Sequence, residues 1–243
     1  MIIPAIAGIL SRHALPLGLK ANAAECPWAT TTRATFTLLR LDQKCVFATC
    51  LHVLTKLREL QRLDQSAEIV GYLVNSAPFG ELNTFTLVDH DQLLDVAVFG
   101  GLEDTFELPG LQFIDYDSSY LADPVRGDLV AIVGYPAANV SVSRNLADFG
   151  YMFIGVIVSS VSELRIVLAN EHGDREFCDY TPAHRDQVPL GGLSGSPAFV
   201  IRNLQYRFIG IVTDASPGDQ TIIISRLGCL NPDGTLDHTR IPR

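Results

Sequence analysis

Three observations predict an all-β chain. Short runs rich in Val, Ile, Thr and Phe recur along the sequence, separated by Gly, Pro, Asn and Asp. Only one stretch carries a helical period. Hydrophobic residues make up 47% and charged residues 19% of the 243, a charged share below the roughly 25% of an average domain. Such a chain can bury a sizeable core. Short strands with frequent turns are the pattern of a barrel or sandwich.

Taken in order, the first ten residues are apolar and are expected to form an opening strand or arm. Ala21-Asn22-Ala23 has the small residues of a cleavage site, so processing of residues 1–23 is the alternative. No Lys or Arg precedes the apolar run, and Ser11-Arg12-His13 interrupts it, which favours the arm. Strands are expected over 35–41, 44–49, 68–74, 83–88, 94–99, 129–134, 151–159, 163–168, 197–202, 206–213 and 221–225. Leu54, Leu57, Leu60 and Leu63 recur every third residue beside Lys56, Arg58, Glu59 and Arg62, which predicts one helix of about two to three turns. Residues 115–126 lack a period and are read as the connection between two halves. About 85–115 residues then remain on either side, enough for one small barrel each. The expected division is 1–120 and 121–243. The tail 231–243 is polar, with no clear closing helix.

The formal net charge is −9, so no basic field exists to release phosphate counterions, and nucleic-acid binding is disfavoured. No stretch approaches the roughly 18 apolar residues of a spanning helix, so no membrane span is expected. The five cysteines, Cys26, Cys45, Cys50, Cys178 and Cys229, are odd in number, so at least one is unpaired. No close-spaced pair or His neighbourhood gives zinc spacing, and neither a metal nor a cofactor is expected. A reducing, cytoplasmic compartment is the simplest reading.

Three segments carry chemistry together. In Val46-Phe47-Ala48-Thr49-Cys50-Leu51-His52 a strand ends, a helix starts, and His52 sits at the junction. Alone, such a histidine is more often a core residue capping the turn. In Leu93-Leu94-Asp95-Val96-Ala97-Val98-Phe99 a carboxylate interrupts an apolar run. Buried without partners it costs several kcal/mol or more, so Asp95 either faces water on an edge strand or is matched by donors. Gly191-Gly192-Leu193-Ser194-Gly195-Ser196-Pro197 forms a tight loop before a strand. Glycines there can aim backbone N–H groups at one point, as an oxyanion hole requires; the plainer reading is a Gly-Ser turn.

In this order the three segments resemble the chymotrypsin-like serine peptidases, in which two six-stranded antiparallel β-barrels hold a His/Asp/Ser triad in the cleft between them. Thr49-Cys50-Leu51-His52, Asp95-Val96-Ala97-Val98 and Gly192-Leu193-Ser194-Gly195-Ser196-Pro197 match the family's three motifs. Arg126 to Pro136 looks like the opening strand of the second barrel in bacterial trypsin-like members. Gly210-Ile211-Val212-Thr213-Asp214-Ala215 resembles the strand that lines the substrate cleft. The likeness spans about residues 30–230.

The resemblance implies His52, Asp95 and Ser194 as the triad, with the N–H groups of Gly192 and Ser194 as oxyanion donors. It places Val188 at the base of the substrate pocket and Thr213, Asp214 and Ala215 along its wall. A valine base disfavours a Lys/Arg preference and suits a small or medium apolar side chain. Ser196 is the rival nucleophile, but the motif register favours Ser194. Digestive members carry an Asp just before the serine, paired with a new N-terminal amine; here Leu193 stands there and no Ile-Val-Gly-Gly segment exists. The site is therefore expected to be preformed or switched by an activating protein partner. The expected partner is a peptide or protein substrate. The competing reading is a protease-like fold serving as a dormant binding or scaffold module. An α/β-hydrolase is disfavoured, because that fold needs Ser before Asp before His.

Overall fold

β-Branched and aromatic side chains suit a pleated, half-buried surface, and the apolar runs fold as strands accordingly. The computed structural model describes residues 2–20, 33–42, 44–63, 65, 68–72, 78–81, 85–102, 110–117, 123–136, 140–143, 146–169, 176–179, 190–216 and 221–241.

The first sheet comprises β1 (Ala14–Lys20), β2 (Arg33–Leu41), β3 (Lys44–Cys50), β4 (Glu68–Tyr72), β5 (Pro78–Glu81), β6 (Thr86–Asp91), β7 (Val96–Leu102) and β8 (Ile114–Tyr116). The order is β5-β4-β1-β2-β3-β7-β6, and β8 joins β2 in parallel. A small hairpin pairs β10 (Val140–Ser143) with β11 (Leu146–Phe149). The second sheet comprises β9 (Leu129–Gly134), β12 (Met152–Val161), β13 (Arg165–Ala169), β14 (Glu176–Asp179), β15 (Pro197–Arg202), β16 (Gln205–Ser216) and β17 (Thr221–Ser225). Its order is β13-β17-β16-β15-β9-β12-β14, and a further β12–β13 pairing closes six strands into an antiparallel barrel. Closure removes the exposed edges that an open sheet would leave.

Each sheet has its own core. Phe36, Phe47 and Phe99 pack inside the first, with ring centroids 5.5 Å apart for Phe36–Phe47 and 5.9 Å for Phe36–Phe99. Ile132, Ile154, Val212 and Ile224 fill the second. A third cluster joins them, bringing Leu39, Val46 and Val98 against Val133, Phe153 and Phe199. Each fully buried Leu, Val or Phe contributes about 1.5–3 kcal/mol of transfer free energy. The sheets therefore meet along a packed seam.

The opening residues differ from expectation. Residues 2–10 form helix α1 (Ile2–Leu10) rather than a strand or extended arm. Ala7 and Leu10, three apart, are fully buried against the joining cluster, so packing overrides the β preference of the isoleucines. Pro4 falls in the first turn, where its missing N–H is tolerated. β1 escaped the strand pattern because Pro16 and Gly18 lie inside it. The expected helix is α2 (Leu51–Leu63), 13 residues long, beginning where β3 ends. Strand 83–88 is displaced to Thr86–Asp91, and strand 94–99 begins only at Val96. Asp115 and Tyr116 belong to β8, so the aperiodic segment starts later than expected. The tail carries a Leu230–Leu236 bridge and a short 3-10 turn, His238–Arg240. No described helix is long and apolar enough to cross a membrane.

Candidate active site

His52 is placed by the abrupt change from β3 to α2. It is the second helical residue, so its N–H lacks an intrahelical acceptor. Asp95 supplies one: Oδ1 accepts from the His52 N–H at 2.8 Å, while Oδ2 meets His52 Nδ1 at 2.5 Å. One carboxylate thus caps the helix and grips the ring. It holds the proton on Nδ1 and leaves Nε2 as an acceptor.

Asp95 lies outside the strand that follows it. Its φ of 56° is left-handed, a conformation costing an L-residue roughly 1–2 kcal/mol. Several bonds hold the turn. Leu51 N–H donates to the Asp95 carbonyl at 3.2 Å, and Leu94 N–H to Asp91 Oδ1 at 2.8 Å. Ser225 Oγ, from the second sheet, donates to the Leu94 carbonyl at 2.6 Å and lies 3.2 Å from Thr213 Oγ1. Asp95 is therefore matched by donors, not left facing water on an edge strand.

The serine loop is held by threonines of the first sheet. Thr35 N–H donates to the Ser194 carbonyl at 2.9 Å and Thr35 Oγ1 to the Gly192 carbonyl at 3.0 Å. Thr37 Oγ1 donates to the Gly195 carbonyl at 2.7 Å. Thr49 Oγ1 in turn holds the Thr35 carbonyl at 2.9 Å. These carbonyls point into the first sheet, and the N–H groups of Gly192 and Ser194 have no backbone acceptor among the described residues. Gly195 has φ +86°, and a Cβ there would stand 2.0 Å from the Thr35 carbonyl oxygen. Only glycine fits.

Leu193 is fully buried in the second barrel's core. Where digestive peptidases use an ion pair, apolar burial anchors the loop here. Ser196 is also fully buried, and its Oγ has no hydrogen-bond partner. That hydroxyl packs onto Gly134, where an added Cβ would come within 1.9 Å of it. Ser196 is thus sealed from the cleft.

Beneath the site lies Cys50, fully buried, with Sγ donating to the Val212 carbonyl at 3.1 Å. Burial pushes its thiol pKa well up, the Asp95 carboxylate adds to this, and the Ser194 side chain is a hydrogen-bonding neighbour. The structure thus brings His52 onto Asp95 and Ser194 onto Cys50. His52 and Ser194 share no hydrogen bond.

A cleft pocket of about 390 Å³ is lined by His52, Asp95, Arg165, Thr213, Asp214 and Ile223. Thr213 and Asp214 line this pocket together with the histidine. Ala215 packs against the second barrel's core and is not in this lining; Val188 lies outside the described residues. A separate pocket of about 320 Å³ is lined by His13, Phe113, Tyr116, Phe199, Tyr206 and neighbours. It contains no serine or cysteine, and His13 Nδ1 bonds the Gln112 carbonyl at 2.8 Å. The lining of the pocket beside His52 contains none either: Ser194 and Cys50 are not among its residues.

Sequence reasoning missed Thr35, Thr37, Thr49, Arg165 and Ser225. The alternation of Thr35 and Thr37 inside an apolar strand marked one polar face. Nothing local marked Ser225, whose partner lies 131 residues away.

No family model and no curated protein matches the chain. Among solved structures, the crystal structure of the serine endoprotease from Yersinia pestis is similar, with a TM-score of 0.54 and 15% identity. The match covers 91% of this chain and 61% of that one, so this chain spans about three fifths of that protein's length. At this identity the likeness shows the fold alone. That fold is the two-barrel, chymotrypsin-like one.

Proposed function

We propose that the chain is a serine endopeptidase with His52, Asp95 and Ser194 as its triad. The observation that carries this reading is the double grip of Asp95 on His52, together with a serine followed by glycine whose loop leaves two N–H groups without backbone acceptors among the described residues. In this mechanism Ser194 Oγ attacks the scissile carbonyl while His52 Nε2 takes its proton. Asp95 stabilises the imidazolium. The N–H groups of Gly192 and Ser194 receive the developing oxyanion, each worth about 2.7–4 kcal/mol in the transition state. The proton passes to the leaving amine, and water then hydrolyses the acyl-enzyme. Asp214 and Arg165 give the cleft two opposite charges for substrate polar groups, while a small or medium apolar side chain suits the valine expected at the pocket base.

Buried Leu193 supports a loop that needs no newly cut N-terminus. The missing Ser194–His52 bond favours one alternative, a dormant module that a protein partner activates. In the peptidase reading the bond tightens when substrate docks, as free enzymes often require. A fluorophosphonate probe separates the two. Labelling of the wild type and of Ser196→Ala, but not of Ser194→Ala, is the expected result. An unlabelled wild type would sink the peptidase reading for the isolated chain.

A further inference from the structure

We propose that Cys50, His52 and Asp95 form a binding site for a thiophilic divalent cation such as Zn2+ or Cd2+, and that its occupation silences the cleft. The site itself does not depend on the peptidase reading; only the silencing does.

The argument begins with position. Cys50 Sγ, a ring nitrogen of His52 and a carboxylate oxygen of Asp95 all lie within 4.8 Å of one another, and among the described residues no other three such groups do so. In a tetrahedral zinc site, bonds of about 2.0–2.3 Å put ligand atoms roughly 3.3–3.6 Å apart. The triplet reaches that spacing by modest shifts: the His52–Asp95 contact opens from 2.5 Å, and the separations to Cys50 already lie within 4.8 Å. Thiolate, imidazole and carboxylate are a zinc donor set, and the thiolate selects against Mg2+ and Ca2+. Three protein ligands leave a fourth position for water or the Ser194 hydroxyl, which already neighbours the thiol.

Charge and access fit as well. The Cys50 S–H bond breaks, an S–metal bond forms, and the proton leaves to solvent; nothing is oxidised or reduced. Thiolate and Asp95 carboxylate together balance the 2+ charge. Cys50 is sealed from water, but the His52 side chain is 51% exposed, so the ion enters as the ring swings off Asp95. The bound ion then takes both groups that would activate Ser194. Cys45 and Cys229 are equally free and buried, yet neither belongs to such a triplet. Linear spacing concealed the site, because Asp95 reaches Cys50 and His52 only through the β3–β7 pairing.

The test uses the full chain, stripped with chelator and titrated with Co2+ and Cd2+. One equivalent is expected, with a thiolate-to-metal charge-transfer band in the ultraviolet. Cys50→Ala and Cys50→Ser should abolish the band. Cys50→Ser keeps nearly the same volume, so circular dichroism of both variants separates lost binding from lost fold. His52→Ala and Asp95→Asn should each weaken binding more than about tenfold. Cys26→Ala and Cys178→Ala should leave it intact. Zn2+ should slow fluorophosphonate labelling of the wild type in proportion to occupancy. A band that survives in folded Cys50→Ser, or no binding by the wild type, would overturn the site. Ser194→Ala separates the two readings: it should still bind the ion, and a wild type that binds the ion but never labels would remove the peptidase reading and keep the site.

Discussion

Thr35→Val is the most informative single change in the serine loop. Valine has nearly the shape of threonine, so the packing of β2 is retained and only the hydroxyl is lost. That hydroxyl does two things. It donates to the Gly192 carbonyl at 3.0 Å and accepts the Tyr135 N–H at 3.1 Å. Thr35 and Tyr135 are essentially inaccessible, so water cannot replace either bond. Leaving a buried backbone group unpaired costs about 1–3 kcal/mol, so two give roughly 2–4 kcal/mol when partial relaxation is allowed. For a chain of this size that is a fall in Tm of roughly 5–15 °C. The released Gly192 carbonyl also frees the peptide unit whose neighbour supplies an oxyanion donor in the proposed mechanism. Complete loss of one donor slows acylation by about 10²–10³, which sets the ceiling; a slowing of at least ~10-fold per folded molecule is expected. The assays are thermal melts and fluorophosphonate labelling rates below the transition. Thr35→Ser, which keeps the hydroxyl, should restore labelling while losing only a methyl group's packing. A Thr35→Val protein that melts and labels like the wild type would refute the reasoning. One that melts early but labels normally would make Thr35 a structural residue rather than a positioning one.

Three further outcomes follow from the same geometry. Ser196→Ala removes a buried hydroxyl without a partner and should stabilise the protein by about 1 kcal/mol in chemical denaturation, with labelling retained; a loss of that size would reveal a bond to that oxygen. Gly195→Ala forces a methyl group towards the Thr35 carbonyl at φ +86° and should cost about 3 kcal/mol or more and abolish labelling, as melts and labelling would register. Burial lowers the pKa of His13 from its ordinary 6.5, so the unfolded chain binds this proton more readily than the folded one. Stability from this residue is complete above pH 6.5 and falls as pH drops through the lowered value, by at most about 1.4 kcal/mol per pH unit. Melts across that range should slope, and His13→Asn should flatten them.

Strands with continuous apolar runs, such as 129–134 and 197–202, were legible because burial on both faces leaves an unbroken signal. The Pro16 and Gly18 of β1 erased it. α1 was misread because Ile2, Ile3 and Ile6 carry β propensity, whereas its helical spacing serves a core built from distant residues. The His52, Asp95 and Ser194 segments are legible as local sequence patterns. Their support is not: Thr35 reaches Gly192 across 157 positions, and Ser225 reaches Leu94 across 131. The apolar neighbours of Asp95 predict a strand there, whereas its left-handed φ accompanies its two bonds to His52.

The supporting bonds run in both directions across the seam between the sheets. Thr35 and Thr37 of β2, on the first sheet, hold the loop of Ser194 that leads into β15 of the second. Ser225 of β17 and Arg165 of β13, on the second, hold the Leu94 and Leu93 carbonyls just before Asp95 on the first. Each functional group is thus held by its own half and by the other: Asp95 also by Leu51, and the serine loop also by the Val212 carbonyl, which accepts the Gly195 N–H at 2.7 Å. The left-handed Asp95 and the glycine conformations at 192 and 195 are therefore supported in part by bonds from the opposite sheet, which are lost if the sheets separate. A displacement along the seam therefore loosens support on Asp95 and on the Ser194 loop together. This gives the dormant alternative a physical form: a partner that tightened the seam would act on both His52–Asp95 and Ser194 at once, without touching any of the three.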